Sequence, residues 1–206
     1  MWLAISNLGD AALTLPLAAV CIAWLTRSLT GSRVAFLWSV LLVGAMSLVG
    51  LSKVLYAGSG MQIEAISFRM ISGHTMLASA VWPMSFLLTL HDGRANRRSA
   101  ALYSGVAIAT LIGVSRVFDE AHSVSEVIAG WTLGLLVTVL LMRQKPPLLP
   151  TRLRPFVAGS LLTVSAVAYG HHAPIQAAID RYSPLLWAGF GKNNPTDACR
   201  ACLKPR

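Results

Sequence analysis

The sequence is short of charge, and most of all of negative charge. Only 12% of its 206 residues are Asp, Glu, Lys or Arg, and eight of them are acidic. A soluble domain carries about 25% charged residues, so half of the usual solubilising surface is missing. Disorder and a coiled coil are excluded by the same shortage, since both need dense charge or polarity. Cysteine is scarce too, and three residues cannot frame a disulfide-stapled secreted module. Cys21 lies inside an apolar run and reads as packing. Cys199 and Cys202 form a C-x-x-C that could close a disulfide on the oxidising side of a membrane, and no partner pair completes a structural zinc site. Internal repeats and low-complexity runs are absent.

What is there is apolar. Hydrophobic residues make up 55% of the chain, gathered in long blocks. A spanning helix needs about 20 mostly apolar residues, or somewhat fewer with anchored ends. Six segments qualify, near 11–25, 34–55, 75–90, 100–114, 127–142 and 156–169. The reading is all-α: a polytopic membrane bundle of about six transmembrane helices. Residues 1–170 form the membrane-embedded domain, and 171–206 an extramembrane tail. Residues 1–10 have no basic residue ahead of the apolar run and so lack the start of a cleaved signal peptide. They are expected at the interface, with Trp2 as anchor.

A net charge of +9 would suggest nucleic acid in a soluble protein. Here the basic residues sort by loop instead, and no nucleic-acid partner is expected. Arg27, Arg33, Arg94, Arg97, Arg98, Arg143, Lys145, Arg152 and Arg154 fall in alternate loops against the single acid Asp92. The positive-inside rule makes that face cytoplasmic and both termini external. The opposite face carries Lys53, Arg69 and Arg116 with Glu64, Asp119, Glu120 and Glu126.

That second face holds the informative residues. Lys53 ends the second segment, Ser72-Gly73-His74 opens the third, Ser115-Arg116 ends the fourth, and His122 and Glu126 open the fifth. Four helices bring ionisable groups to one depth, where such groups are costly and functional by default. The set suits phosphoryl transfer. Lys53 and Arg116 supply permanent charge, and an arginine grips two phosphate oxygens at once. A helix beginning at Ser72-Gly73 offers free N–H groups to an anion. His122 and Glu126, spaced i, i+4, share a helix face, so the carboxylate can hold one imidazole nitrogen and free the other to attack. His74 can act as the acid toward a leaving group. His171-His172 reads as an interfacial polar pair, and Gly130 with Gly134 permits close helix approach within or between chains.

These motifs resemble the type-2 phosphatidate phosphatase superfamily, which includes lipid phosphate phosphatases and vanadium haloperoxidases. Its pattern is K-x6-R-P, P-S-G-H and S-R-x5-H-x3-D; this chain has Ile71-Ser72-Gly73-His74, then Ser115-Arg116, His122 and Glu126 at the third element's spacing. The resemblance spans about 53–142 and implies a phosphatase core in helices two to five. It also implies His122 as the nucleophile of a phosphohistidine and His74 as acid, then base. Lys53, Ser72, Gly73 and Arg116 would bind phosphate, with no metal or organic cofactor. Three departures stand out: Glu126 for the Asp, Ile71 for the Pro, and no Arg-Pro after Lys53. Arg69 could replace the missing arginine at the phosphate, or pair with Glu64 or with lipid headgroups.

The expected function is hydrolysis of a lipid phosphate or diphosphate from the periplasmic side of an inner membrane. One rival is a lipid phosphotransferase using the same intermediate. A catalytically silent protein binding anionic lipid, and an intramembrane serine protease using Ser72, are others. The sequence leaves the oligomeric state open.

Overall fold

A chain in hydrocarbon has to satisfy its own backbone polar groups, and helices do so within one segment. The computed structural model describes residues 2–171, and each apolar run there is a helix. A short α1 (Trp2–Ser6) and one 3-10 turn (Asn7–Gly9) lead into α2 (Ala11–Leu25). There follow α3 (Leu29–Ser59), α4 (Gly73–Leu90), α5 (Ala95–Phe118), α6 (Val124–Arg143) and α7 (Arg154–Ala168). His172, Cys199 and Cys202 lie outside the described residues.

Local chemistry sets the helix ends. Asp10 caps α2 by accepting from the Ala12 N–H, and Ser28 caps α3 by accepting from Gly31. Gly60 closes α3 at φ 67°, a left-handed conformation that costs glycine nothing.

Among the described residues three helices, α3, α5 and α6, are long and apolar enough to cross a membrane. The N-terminal pair, bent by 43° between 2–9 and 11–25, would make a fourth as a broken span. The other two expected spans, 75–90 and 156–169, are helices as well. Helix α7 has only 15 residues. Helix α4 is sheltered: it packs against α2, α5, α6 and α7, and its buried face includes Thr75, Ser79 and Ser85. Neighbouring helices surround it and shelter its polar side chains. Helix α3 shows the contrast, with Phe36, Val40, Val43, Leu48 and Leu51 exposed.

Small residues bring the central helices together. A Cβ at Gly130 or Gly134 of α6 would collide with the carbonyl of Ser72 or Met76 beside α4. The G-x-x-x-G therefore serves packing inside the chain. Gly105 of α5 likewise lies against the backbone of Pro83. Pro83 has no N–H to give the Ser79 carbonyl one turn back, and the Thr138 hydroxyl of α6 donates to that carbonyl at 2.8 Å instead. The start of α2, the ends of α3 and α5 and the starts of α4 and α6 thus share one end of the bundle.

Candidate active site

Helix α6 starts with a capping box. The Ser123 hydroxyl accepts from the Glu126 N–H, and the Ser123 N–H donates back to Glu126 Oε2 at 3.2 Å. His122, just ahead of this cap, lies with Nδ1 2.7 Å from the same oxygen. The His–Glu contact therefore comes from the carboxylate folding back over a helix end, not from two residues on one helix face.

The other oxygen, Oε1, accepts the Arg69 N–H at 2.9 Å, Arg69 Nε–H at 3.2 Å and the Met70 N–H at 3.4 Å. Glu126 is wholly buried. A buried carboxylate is costly unless donors surround it, and five do so here. Because an ionised carboxylate only accepts, His122 carries its proton on Nδ1 and presents a lone pair at Nε2. Burial is the main force lowering the His122 pKa, to about 4; the positive charges of Arg116 and Lys53 add to it, and the Glu126 hydrogen bond opposes it. The imidazole is neutral at pH 7.

The other candidates converge on this pair. Arg116 ends α5 and donates from Nη1 to the Ser6 hydroxyl at 2.9 Å, while its buried Nε has no acceptor among the described residues. The charge of Lys53, on α3, acts on both His74 and His122. Ser72 is buried; its N–H donates to the Glu126 carbonyl at 3.2 Å and its hydroxyl meets that of Thr75 at 3.0 Å. Gly73 begins α4, next to His74. One peptide earlier, the Ile71 N–H is held by the Ser52 hydroxyl of α3 at 3.0 Å. Arg69 stands apart in role. Its carboxylate partner is Glu126 rather than Glu64, and its guanidinium lies over the Tyr56 ring at 6.0 Å. The Glu126 charge holds the Arg69 pKa above its ordinary value.

Three site neighbours escaped the motif reading. Asp10 places Oδ2 3.5 Å from His74 Nε2; Ser6 holds Arg116; Ser52 holds Ile71. The one legible signal was an acid directly before an apolar helix, which marks an N-cap but not its partner 64 residues away.

The family model for the PAP2 superfamily matches residues 55–150, from the last turns of α3 past the end of α6. An uncharacterised 22.5 kDa protein in the cps region of Klebsiella pneumoniae is 35% identical over 141 residues, 68% of each chain. The chain belongs to the PAP2 superfamily. It is also 38% identical over 81 residues to phosphatidylglycerophosphatase B of Bacillus subtilis (strain 168), covering 38% of this chain and 39% of that one. No solved structure matches. The stretch matched to the superfamily contains Ser72, Gly73, His74, Arg116, His122 and Glu126, whereas Ser6, Asp10, Ser52 and Lys53 lie ahead of it.

Proposed function

We propose that the protein is a membrane phosphatase that hydrolyses a lipid phosphate or diphosphate through a phosphohistidine, with its site on the non-cytoplasmic face of an inner membrane. The observation that carries this reading is the His122–Glu126 pair, a neutral imidazole held at Nδ1 by the carboxylate and acted on by the charges of Arg116 and Lys53. His122 Nε2 attacks phosphorus, the N–P bond forms, and the P–O bond to the lipid breaks. His74 gives a proton to the departing oxygen. It then takes one from the water that attacks phosphorus and cleaves the N–P bond, which frees inorganic phosphate.

Charge gathers on the equatorial oxygens as the phosphoryl group transfers. Lys53, Arg116 and the Gly73 N–H at the start of α4 are the donors for it. The buried, unsatisfied Nε of Arg116 suits a phosphate oxygen. In this reading the permanent charges do the work without a metal. Superfamily membership and the likeness to phosphatidylglycerophosphatase B support phosphatidylglycerol phosphate as a first substrate to try. The placement outside the cytoplasm rests on the nine basic residues of the opposite loops.

The test is purified protein with phosphatidic acid and phosphatidylglycerol phosphate, assayed for free phosphate, with His122→Ala as control. Free phosphate that disappears in the control supports the reading. Phosphate appearing only on a second lipid would make the protein a phosphotransferase. Neither product would leave a silent lipid-binding protein.

A further inference from the structure

Asp10 does two things with two oxygens. Its Oδ1 accepts the Ala12 N–H at 2.8 Å and caps α2. Its Oδ2 lies 3.5 Å from His74 Nε2. Both groups are largely shielded, with side-chain exposures of 8% for Asp10 and 28% for His74. The segment around Asp10 is fitted closely to this spot. A Cβ on Gly9 would crowd the His74 carbonyl and its Cβ, and the Leu8 carbonyl accepts from the Trp82 indole of α4 at 3.1 Å. Trp2 stacks on Phe118 at 4.6 Å, and Ser6 holds Arg116. None of these N-terminal residues falls in the stretch matched to the superfamily.

We infer that Asp10 is a positioning residue for His74, supplied to the site by the N-terminal segment. The inference rests on the phosphatase reading above for its chemistry, though not for its geometry. The charges around His74 are Lys53 from α3, Arg116 from α5 and Asp10 from the start of α2. Two of the three are positive and disfavour an imidazolium; Asp10 is the one that favours it. A carboxylate at Nε2 fixes a proton there and turns Nδ1 toward the reacting oxygens. In the first step the imidazolium gives its Nδ1 proton to the bridging oxygen as the P–O bond breaks. In the second, Nδ1 takes a proton from the attacking water. Asp10 stays ionised throughout.

The rival explanation is that Asp10 only caps α2. Asparagine and serine cap a helix about as well as aspartate, so Asp10→Asn and Asp10→Ser keep that role and remove the charge. In the full-length protein both should unfold at nearly the wild-type temperature. Release of alcohol from a diacyl lipid phosphate should slow at least about tenfold, a part of the roughly 10²–10⁴-fold that a positioned acid contributes. The burst of nitrophenolate from p-nitrophenyl phosphate needs no acid and should change by less than about threefold. Equal losses on both substrates, or none on the lipid, would overturn the inference.

A second readout is independent of turnover. In nitrogen-15 histidine spectra, neutral His74 should carry its proton on Nε2 in the wild type. In Asp10→Asn it should move to Nδ1, since the amide NH2 now faces Nε2. An unchanged tautomer would overturn the pairing. A wild-type protein that releases no phosphate would instead sink the phosphatase reading and leave Asp10 to be judged on the tautomer.

Discussion

Arg69 and Glu126 stand 57 residues apart in sequence and meet through one oxygen, which takes both the Arg69 backbone N–H and its Nε–H. The arginine nearest the site in sequence therefore answers the negative charge of Glu126. The loop before α4 is tied to the start of α6 by the same contact, so the carboxylate that holds His122 and the loop's course depend on each other.

Replacing Arg69 should accordingly cost stability as well as rate. Its guanidinium is 40% exposed while Glu126 is wholly buried, so the loss for Arg69→Ala is about 1–2 kcal/mol, below the 3–5 of a fully buried pair. Thermal unfolding in detergent reads it. Arg69→Lys should recover little, because an ammonium lacks the planar Nε edge. Unchanged stability with a large fall in kcat/KM would mean that Arg69 serves phosphate instead.

Glu126→Gln tests the five-donor shell. Every neighbour of the carboxylate donates, so an amide NH2 set among them leaves a buried donor facing donors. The expected cost is about 1–3 kcal/mol of stability, together with slower phosphoenzyme formation. Glu126→Asp keeps the charge but cannot span both the Arg69 and His122 contacts, so activity should survive in part. A Glu126→Gln protein as stable as the wild type would contradict the shell.

The His122 pKa, lowered to about 4, sets a pH profile. The acid limb of kcat/KM assigned to this group should lie near pH 4 rather than at the usual histidine value of about 6.5. Stability follows the same sign. Between these values the unfolded chain binds the proton and the folded one does not, so the contribution of His122 is complete above about 6.5 and is lost as pH falls toward 4. In His122→Gln that slope should flatten, as chemical unfolding at several pH values would reveal.

Two glycine substitutions should behave oppositely. Gly130→Ala puts a methyl into the Ser72 carbonyl and should cost about 1–3 kcal/mol and most of the activity. Gly159→Ala meets nothing within 4 Å on α7 and should be neutral or stabilising by up to about 1 kcal/mol. Equal unfolding temperatures for the two variants would refute the close contact.

Sequence alone carried the helices well, because an apolar run of given length has one cheap solution in lipid. The first run begins and ends where α2 does. The third run, 75–90, likewise matches α4 at Gly73–Leu90, although the reason for its buried polar residues shows only once its neighbours are known. Within the site, His122 and Glu126 were legible as a pair four residues apart, but their contact comes from a capping box rather than from a helix face. The Arg69–Glu126 and Asp10–His74 contacts were illegible because nothing local announces a partner 57 or 64 residues away.

The backbone contact of Gly130 with Ser72 has a mechanical consequence. His74 rides on the helix that Ser72 opens, and His122 precedes the helix that contains Gly130. With no side chain between Gly130 and the Ser72 carbonyl, there is nothing compressible at that contact to take up slack. In the proposed mechanism the spacing of the two histidines is then gauged by peptide against peptide, and a substrate's phosphate would have to fit it as it stands.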